Sequence, residues 1–256
     1  MIRRIISYWR AFVDFMYPPV CKACGHPLVA GELVLCTACR VHLPYTHYEH
    51  WADNPTARAF YGRLPLCGGA SMLFFTPDGR VQALLHALKY KRQPKLGLYI
   101  GAMMGRRLAR SPLYAGVDYI VPVPLHPDKL KRRGYNQAAL LGQGMASVWS
   151  AGEASPSAGK AVVGAVRAPE LLTDLLFKRR FNESQTRKNR AERWDNVRDV
   201  YEVNGDAALR ARVAGKHLLL VDDVLTTGAT LESVADALLA ELPDIRLSVA
   251  TAATPA

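Results

Sequence analysis

The chain has no run of roughly 18 uninterrupted apolar residues, the length a helix needs to cross a bilayer, so a membrane-spanning helix is excluded. Long low-complexity tracts are absent, and so is any internal repeat, which leaves a globular reading. Acidic residues are scarce, 22 against 33 lysines and arginines, for a formal net charge of +11. A chain so short of carboxylates favours an anionic partner: nucleic acid, a phosphorylated small molecule or an acidic membrane surface. Cysteine is rare as well, five residues in all. What remains is half hydrophobic and 256 residues long, enough for one large domain or a domain plus a small module.

The first residues, MIRRIISYWRAFVDFMYPPVC, place arginines before apolar residues as a signal peptide does. Arg10 and Asp14 interrupt the apolar run, and no small-residue cleavage site follows. Ile2, Ile5, Ile6, Trp9, Phe12, Val13 and Met16 repeat at helical spacing instead. The expectation for residues 1–16 is an amphipathic helix packed on its own protein, the alternative being a membrane-surface helix. A cytoplasmic location is expected.

Four of the five cysteines form two C-x-x-C pairs, Cys21 with Cys24 and Cys36 with Cys39. Each pair puts two thiolates on one tight turn, and two such turns can close a tetrahedron around Zn²⁺. The intervening GHPLVAGELVL is the size of a hairpin and too short to form a core alone, so a metal would supply the missing folding free energy. Two disulfides or a small iron–sulfur centre are the alternatives. Four protein ligands leave no open position, which makes the site structural. His26 and His42 lie close enough to substitute as ligands, and Cys67, left unpaired, is expected to be a buried small hydrophobe.

Residues 17–68 therefore read as a zinc-binding module and connector, with 41–68 irregular and carrying prolines at 44, 55 and 65. Beyond them, GASMLFFT (69–76) predicts a strand, and VQALLHALKYKR (81–92) and KLGLYIGAMMGRRLAR (95–110) predict helices. DYIVPVPL (118–125) predicts a buried strand halted by its prolines, and 130–149 a basic loop feeding a helix. Residues 150–164, rich in Gly, Ala and Ser, predict a flexible insertion. The chain closes with VYEV, the LLLVDDV strand, a helix over about 229–239 and a last strand, IRLSVATAAT. Alternating strands and helices over 69–256 indicate an α/β domain with a mainly parallel sheet flanked by helices. Ligands of such sheets bind at the carboxyl edge, at a topological switch point.

That edge is where LLLVDDVLTTGAT, Leu218 to Thr230, delivers Asp222 and Asp223. The turn that follows leads into a helix, and free N–H groups at a helix start bind phosphate. Gly228 lets backbone approach a ligand, while Thr226, Thr227 and Thr230 add hydroxyl donors. Two carboxylates beside a phosphate suit a ligand that also carries hydroxyls or a metal ion, as a phosphorylated sugar does. The stretch resembles the 5-phosphoribosyl-1-pyrophosphate (PRPP) motif of the type I phosphoribosyltransferases over its whole length. The resemblance implies that Asp222 and Asp223 hold the ribose hydroxyls, and that Thr226, Thr227, Gly228, Ala229 and Thr230 cradle the 5-phosphate.

VPVPLHPDKLKRRGYNQAALL (121–141), with Gly134, Asn136 and Gln137, the C-x-x-C pairs, and Gln185, Arg193 and Asn196 are similar to the competence protein F (ComF) family within that superfamily. This likeness implies a link to DNA uptake and natural transformation, with DNA-uptake machinery proteins as partners. Phosphoribosyl transfer also needs pyrophosphate neutralised, commonly by Mg²⁺ with lysine or arginine closing over it. Lys89, Lys91 and Arg92 are candidates for pyrophosphate. Lys129, Lys131, Arg132 and Arg133 are candidates for a mobile cover loop. Residues 177–194 interleave Phe177, Phe181 and Trp194 with basic residues, a pattern that suits single-stranded DNA or a hood over PRPP. Where hypoxanthine–guanine transferases place a basic carboxylate, this chain has Thr226, and the scattered His86, His126 and His217 offer no evident base. Two expectations follow: a Mg²⁺-dependent phosphoribosyltransferase with an unidentified acceptor, or a single-stranded-DNA-binding competence protein that binds PRPP without turnover.

Overall fold

The computed structural model describes Met16 and residues 18–149, 167–178 and 201–256. The expected amphipathic helix over 1–16, the 150–164 insertion, and Gln185, Arg193 and Asn196 therefore lie outside the described residues, Met16 excepted.

The domain is built on a five-stranded sheet made of Leu66–Phe75 (β1), Tyr119–Pro122 (β2), Glu170–Leu171 (β3), His217–Val224 (β6) and Arg246–Pro255 (β7). Its order is β1-β7-β6-β2-β3, and every neighbouring pair is parallel. Burial of both faces is written into the central strand. Leu218 and Leu220 of β6 pack with one cluster and Leu219 and Val221 with the other, all four fully buried.

One face is covered by Arg80–Tyr90 (α3), Pro94–Leu108 (α4) and Gln137–Trp149 (α6). The other is covered by Ala229–Glu241 (α8), through Leu231, Val234, Ala235 and Leu238, and by Ala207–Val213 (α7). From β2 the chain moves outward to β3, whereas from β6 it moves the opposite way to β7. Because such crossovers are right-handed, α6 and α8 fall on opposite faces, and a crevice opens between the carboxyl ends of β2 and β6.

Helices α4 and α6 approach closely through glycines. A Cβ on Gly101 would run into the Leu141 carbonyl, and one on Gly144 into the Leu98 carbonyl. At the amino-terminal end, the four-cysteine module contains Thr37–His42 (α1), and the connector beyond it holds a 3₁₀ turn, Tyr48–His50, and the short helix Pro55–Arg58 (α2). Asn54 pins that connector to the sheet. Its side-chain amide donates to the carbonyls of Tyr48 (3.1 Å), Trp51 (2.8 Å) and Gly69 (2.7 Å), and its oxygen accepts from the Ala57 N–H.

Several sequence expectations are corrected. The basic run before Gly134 is a helix, Pro127–Arg133 (α5), rather than a loop: proline occupies its first turn, and Gly134 caps it at φ 83°. VYEV contributes Tyr201–Val203 (β5) to a separate antiparallel ribbon with Leu176–Lys178 (β4), outside the main sheet. Cys67 is exposed, since the β1–β7 register shifts between Leu66 and Gly68. Between the C-x-x-C pairs the described residues form no hairpin. The Glu32 carboxylate organises the loop instead, accepting the N–H groups of Val29 (3.0 Å) and Thr37 (2.5 Å).

Candidate functional site

Strand β6 runs from fully buried leucines straight to Asp222 and Asp223 at the crevice. Asp222 keeps some accessible surface but is crowded on all sides, and its side chain accepts the Asp223 N–H at 2.8 Å. Burial and the adjacent Asp223 charge together push its carboxyl up to about 7. Asp223 is ion-paired with Lys89 at the end of α3, Nζ to Oδ2 3.1 Å.

Past the acids, Leu225 is buried and donates its N–H to the Ala253 carbonyl of β7 at 2.9 Å, which fixes the root of the loop. Thr226 and Thr227 are exposed, Gly228 turns at φ 82°, and α8 begins at Ala229 with Thr230 exposed in its first turn. A left-handed residue at that point is what glycine supplies at little cost. Space forbids a larger residue as well, since a Cβ there would lie 2.8 Å from the Phe60 ring. The result is a helix start of the kind that binds anions, its first amide, Ala229 N–H, reaching Thr227 Oγ1 at 3.4 Å, with two carboxylates a few residues upstream.

The sequence-predicted cations fare differently. Lys89 is in the crevice on Asp223, whereas Lys91, Arg92 and Arg132 are exposed to solvent. Arg133 is held in place, with Nη1 donating to Gln137 Oε1 at 2.9 Å and the guanidinium 5.5 Å from the Tyr90 ring centre. Gly134 ends α5 in the left-handed region, and the buried Gln137 accepts from Arg133. Asn136 donates to the Val123 carbonyl at the end of β2 (2.9 Å) and caps α6 through the Ala138 N–H (3.0 Å). Tyr135 braces the end of α3, with its hydroxyl donating to the Leu88 carbonyl (2.6 Å) and accepting the Gln93 N–H (3.1 Å).

The geometry adds residues that no motif marked. Lys178 of β4 donates to the Tyr201 hydroxyl at 3.1 Å beside Asp222. Burial lowers the Lys178 pKa, Lys129 adds to that, and Asp222 opposes it; burial and Asp222 push Tyr201 up to about 12. Arg63 of the connector reaches the loop from the other side, with Nη1 on Glu232 of α8 (2.5 Å) and Nη2 donating to the Thr227 carbonyl (3.4 Å). These residues come from segments far apart in sequence. Only Lys178 carried a signal, as part of the basic run.

The four cysteines converge as the spacing predicts. Their sulfurs all lie within 4.8 Å of one another, none forms a disulfide, and Cys24 and Cys36 are 3.7 Å apart. That separation matches two ligands on a tetrahedral Zn²⁺ with Zn–S of about 2.3 Å. Burial pushes the Cys21 thiol up, but backbone hydrogen bonds from Cys36, Ala23 and Cys24 outweigh it and bring it down to about 6. Burial and neighbouring thiols push Cys39 up. Only a bound cation would let all four ionise together, so the donor set fits a metal.

His47, Glu49 and His50 also cluster, but Nη1 of Arg107 lies among them, 2.5 Å from Glu49 Oε1 and 3.5 Å from His47 Nδ1. The guanidinium holds the cation position there. Among the described residues, no helix is long and apolar enough to cross a membrane.

Comparison with known proteins agrees with this architecture. Residues 159–254 match the phosphoribosyl transferase domain family. The chain is similar to DNA utilization protein YhgH of Escherichia coli K12, 26% identical over 237 residues, covering 87% of this chain and 91% of that protein. The YhgH proteins of Salmonella typhi and Salmonella typhimurium are 28% and 27% identical, over 240 and 237 residues and with the same coverage. The parallel sheet, the acid-and-loop geometry at its carboxyl edge and this match together give the chain a phosphoribosyltransferase-type domain.

Proposed function

We propose that this chain binds PRPP with Mg²⁺ at the β6–α8 edge, as a ComF-type phosphoribosyltransferase acting on an unidentified acceptor. The observation that carries the reading is the adjacency of Asp222 and Asp223 to the Gly228 turn at the start of α8. The 5-phosphate would lie against the amide groups and hydroxyls of Thr226 to Thr230. The ribose hydroxyls would donate to the two carboxylates, whose hard oxygens also suit Mg²⁺ and its waters. When bound, Mg²⁺ supplies charge neutralisation for pyrophosphate. Among the described residues, Lys89, released from Asp223, and Lys178 stand beside the two acids and would add to it, while Arg132 and Arg133 stay candidates from α5. Thr226 stands in the loop where hypoxanthine–guanine transferases carry a basic carboxylate, which favours an acceptor that needs no base at that position.

Phosphorus NMR of PRPP, Mg²⁺ and purified protein, with and without a small-molecule cell extract, tests this. Protein-dependent pyrophosphate and a new ribose-phosphate ester are expected. The double variant Asp222→Asn, Asp223→Asn should leave the PRPP signals as sharp as in buffer. Normal PRPP binding by that variant would refute the site assignment.

A second reading is favoured by the excess of basic residues and by the similarity to proteins named for DNA utilization. In it the chain is a cytoplasmic single-stranded-DNA-binding protein associated with uptake machinery, with PRPP as a ligand rather than a substrate. Broadened PRPP signals without turnover, and DNA affinity falling steeply with salt, would select it. In both readings Cys21, Cys24, Cys36 and Cys39 hold a structural Zn²⁺.

A further inference from the structure

We infer that Arg63, on the connector joining the four-cysteine module to the sheet, is a positioning residue for the phosphate loop. The inference rests on the PRPP reading above and deepens it. The Arg63 guanidinium donates to the Thr227 carbonyl at 3.4 Å and pairs with Glu232 at 2.5 Å; it also bonds the Ala59 carbonyl and lies 5.6 Å from the Phe60 ring centre.

Two physical consequences follow. The Thr227–Gly228 peptide is planar and trans, so its C=O and N–H point to opposite edges. Holding the carbonyl toward the connector turns the Gly228 N–H away from it, and a cation on the carbonyl side polarises that N–H toward an anion. The second consequence concerns charge. Glu232 sits in the first turn of α8, where a carboxylate stabilises the helix but repels a bound phosphate. Arg63 cancels that charge at contact distance.

The connector is rigid enough to deliver this. Phe60 is fully buried against Gly228, and Asn54 ties the segment to Gly69 of β1. A buried hydroxyl chain links it further: Thr56 to Ser71 (2.8 Å) and Ser71 to Thr251 of β7 (2.7 Å). Thr251 then donates to the Ala253 carbonyl, the same oxygen that receives the Leu225 N–H at the root of the loop. A segment that belongs by sequence to the cysteine module is thus a working wall of the phosphate site.

Titration calorimetry of the full chain with PRPP and Mg²⁺, ribose 5-phosphate and inorganic pyrophosphate tests the inference. Arg63→Ala should weaken PRPP and ribose 5-phosphate by about tenfold, the scale of one charge-assisted hydrogen bond. Pyrophosphate, which does not use the loop, should bind as to wild type. A general loss of structure would weaken all three ligands together, and that result would overturn the inference. Arg63→Lys should recover part of the loss, and Glu232→Gln, in which Arg63 keeps Thr227, should bind ribose 5-phosphate at least as well as wild type. If wild type binds PRPP and Arg63→Ala stays within twofold of it, the positioning role is wrong and the PRPP reading stands. If wild type binds neither PRPP nor ribose 5-phosphate, the PRPP reading falls and takes this inference with it.

Discussion

A carboxyl group enclosed by protein and facing a second carboxylate holds its proton more tightly than one in water. Asp222 is in that position, raised from 3.8 to about 7 by burial first and by Asp223 second. The sign of the linkage follows. Above about pH 4 the unfolded chain has lost this proton while the folded chain keeps it, so the group's stabilising contribution is full below that pH. It is lost as pH rises through about 7. Asp222→Asn should therefore raise the melting temperature by a few degrees at pH 8 and change it little at pH 5, while removing PRPP binding. Thermal melts at the two pH values check this, and a variant less stable than wild type at pH 8 would contradict it. Asp222, Asp223 and Thr226 to Thr230 were legible because strand, acids and loop are contiguous. Lys178 was legible only as one cation of a long basic run, and Arg63 and Tyr201 were not, because each reaches the crevice from a distant segment whose local pattern gives no sign of it.

Among the elements, the α4–α6 contact sets how closely the helix layer lies on the sheet. Gly97, Gly101 and Gly105 recur every fourth residue on α4 and meet Leu140, Leu141 and Met145. Backbone carbonyls face Gly101 and Gly144, so an added methyl cannot be absorbed by a side-chain rotation. Gly144→Ala should cost about 1–3 kcal/mol of unfolding free energy through overpacking, despite alanine's better helix propensity. Urea denaturation at constant m-value measures it, and a stabilised variant would show that the helices can separate freely. The long helices and the main strands were readable within a few residues, since hydrophobic periodicity survives folding unchanged. Short elements were not. Pro127, Asp128 and Gly134 do mark a helix start and stop, but a dense run of cations between them reads equally as a loop. Tyr201–Val203 is too brief for its pattern to say which sheet it joins.

Across the whole molecule, the cysteine module and the sheet share one core. Cys21, Val34, Leu35, Cys39 and Leu43 belong to the same buried cluster as Leu84, Leu219 and Ala250. Two C-x-x-C pairs in the sequence announced a metal-binding unit but could not show that its interior is continuous with the domain. The module buries Cys21, Val34, Leu35, Cys39 and Leu43 but leaves Val29, Leu33 and Val41 exposed, so a metal holding the four thiolates together would order it, and the connector that leads from it carries Arg63 to Thr227. Extracting the proposed Zn²⁺ should therefore act at two places. With a strong chelator, about one Zn²⁺ per chain should be released, and the melting temperature should fall as a structural metal site is lost. Far-UV circular dichroism should change little, because the main helices and strands lie outside the module. Affinity for ribose 5-phosphate should fall in the stripped protein while affinity for pyrophosphate holds, repeating the pattern of Arg63→Ala. If the stripped protein binds both ligands as before, the module and the loop are mechanically independent despite their shared core.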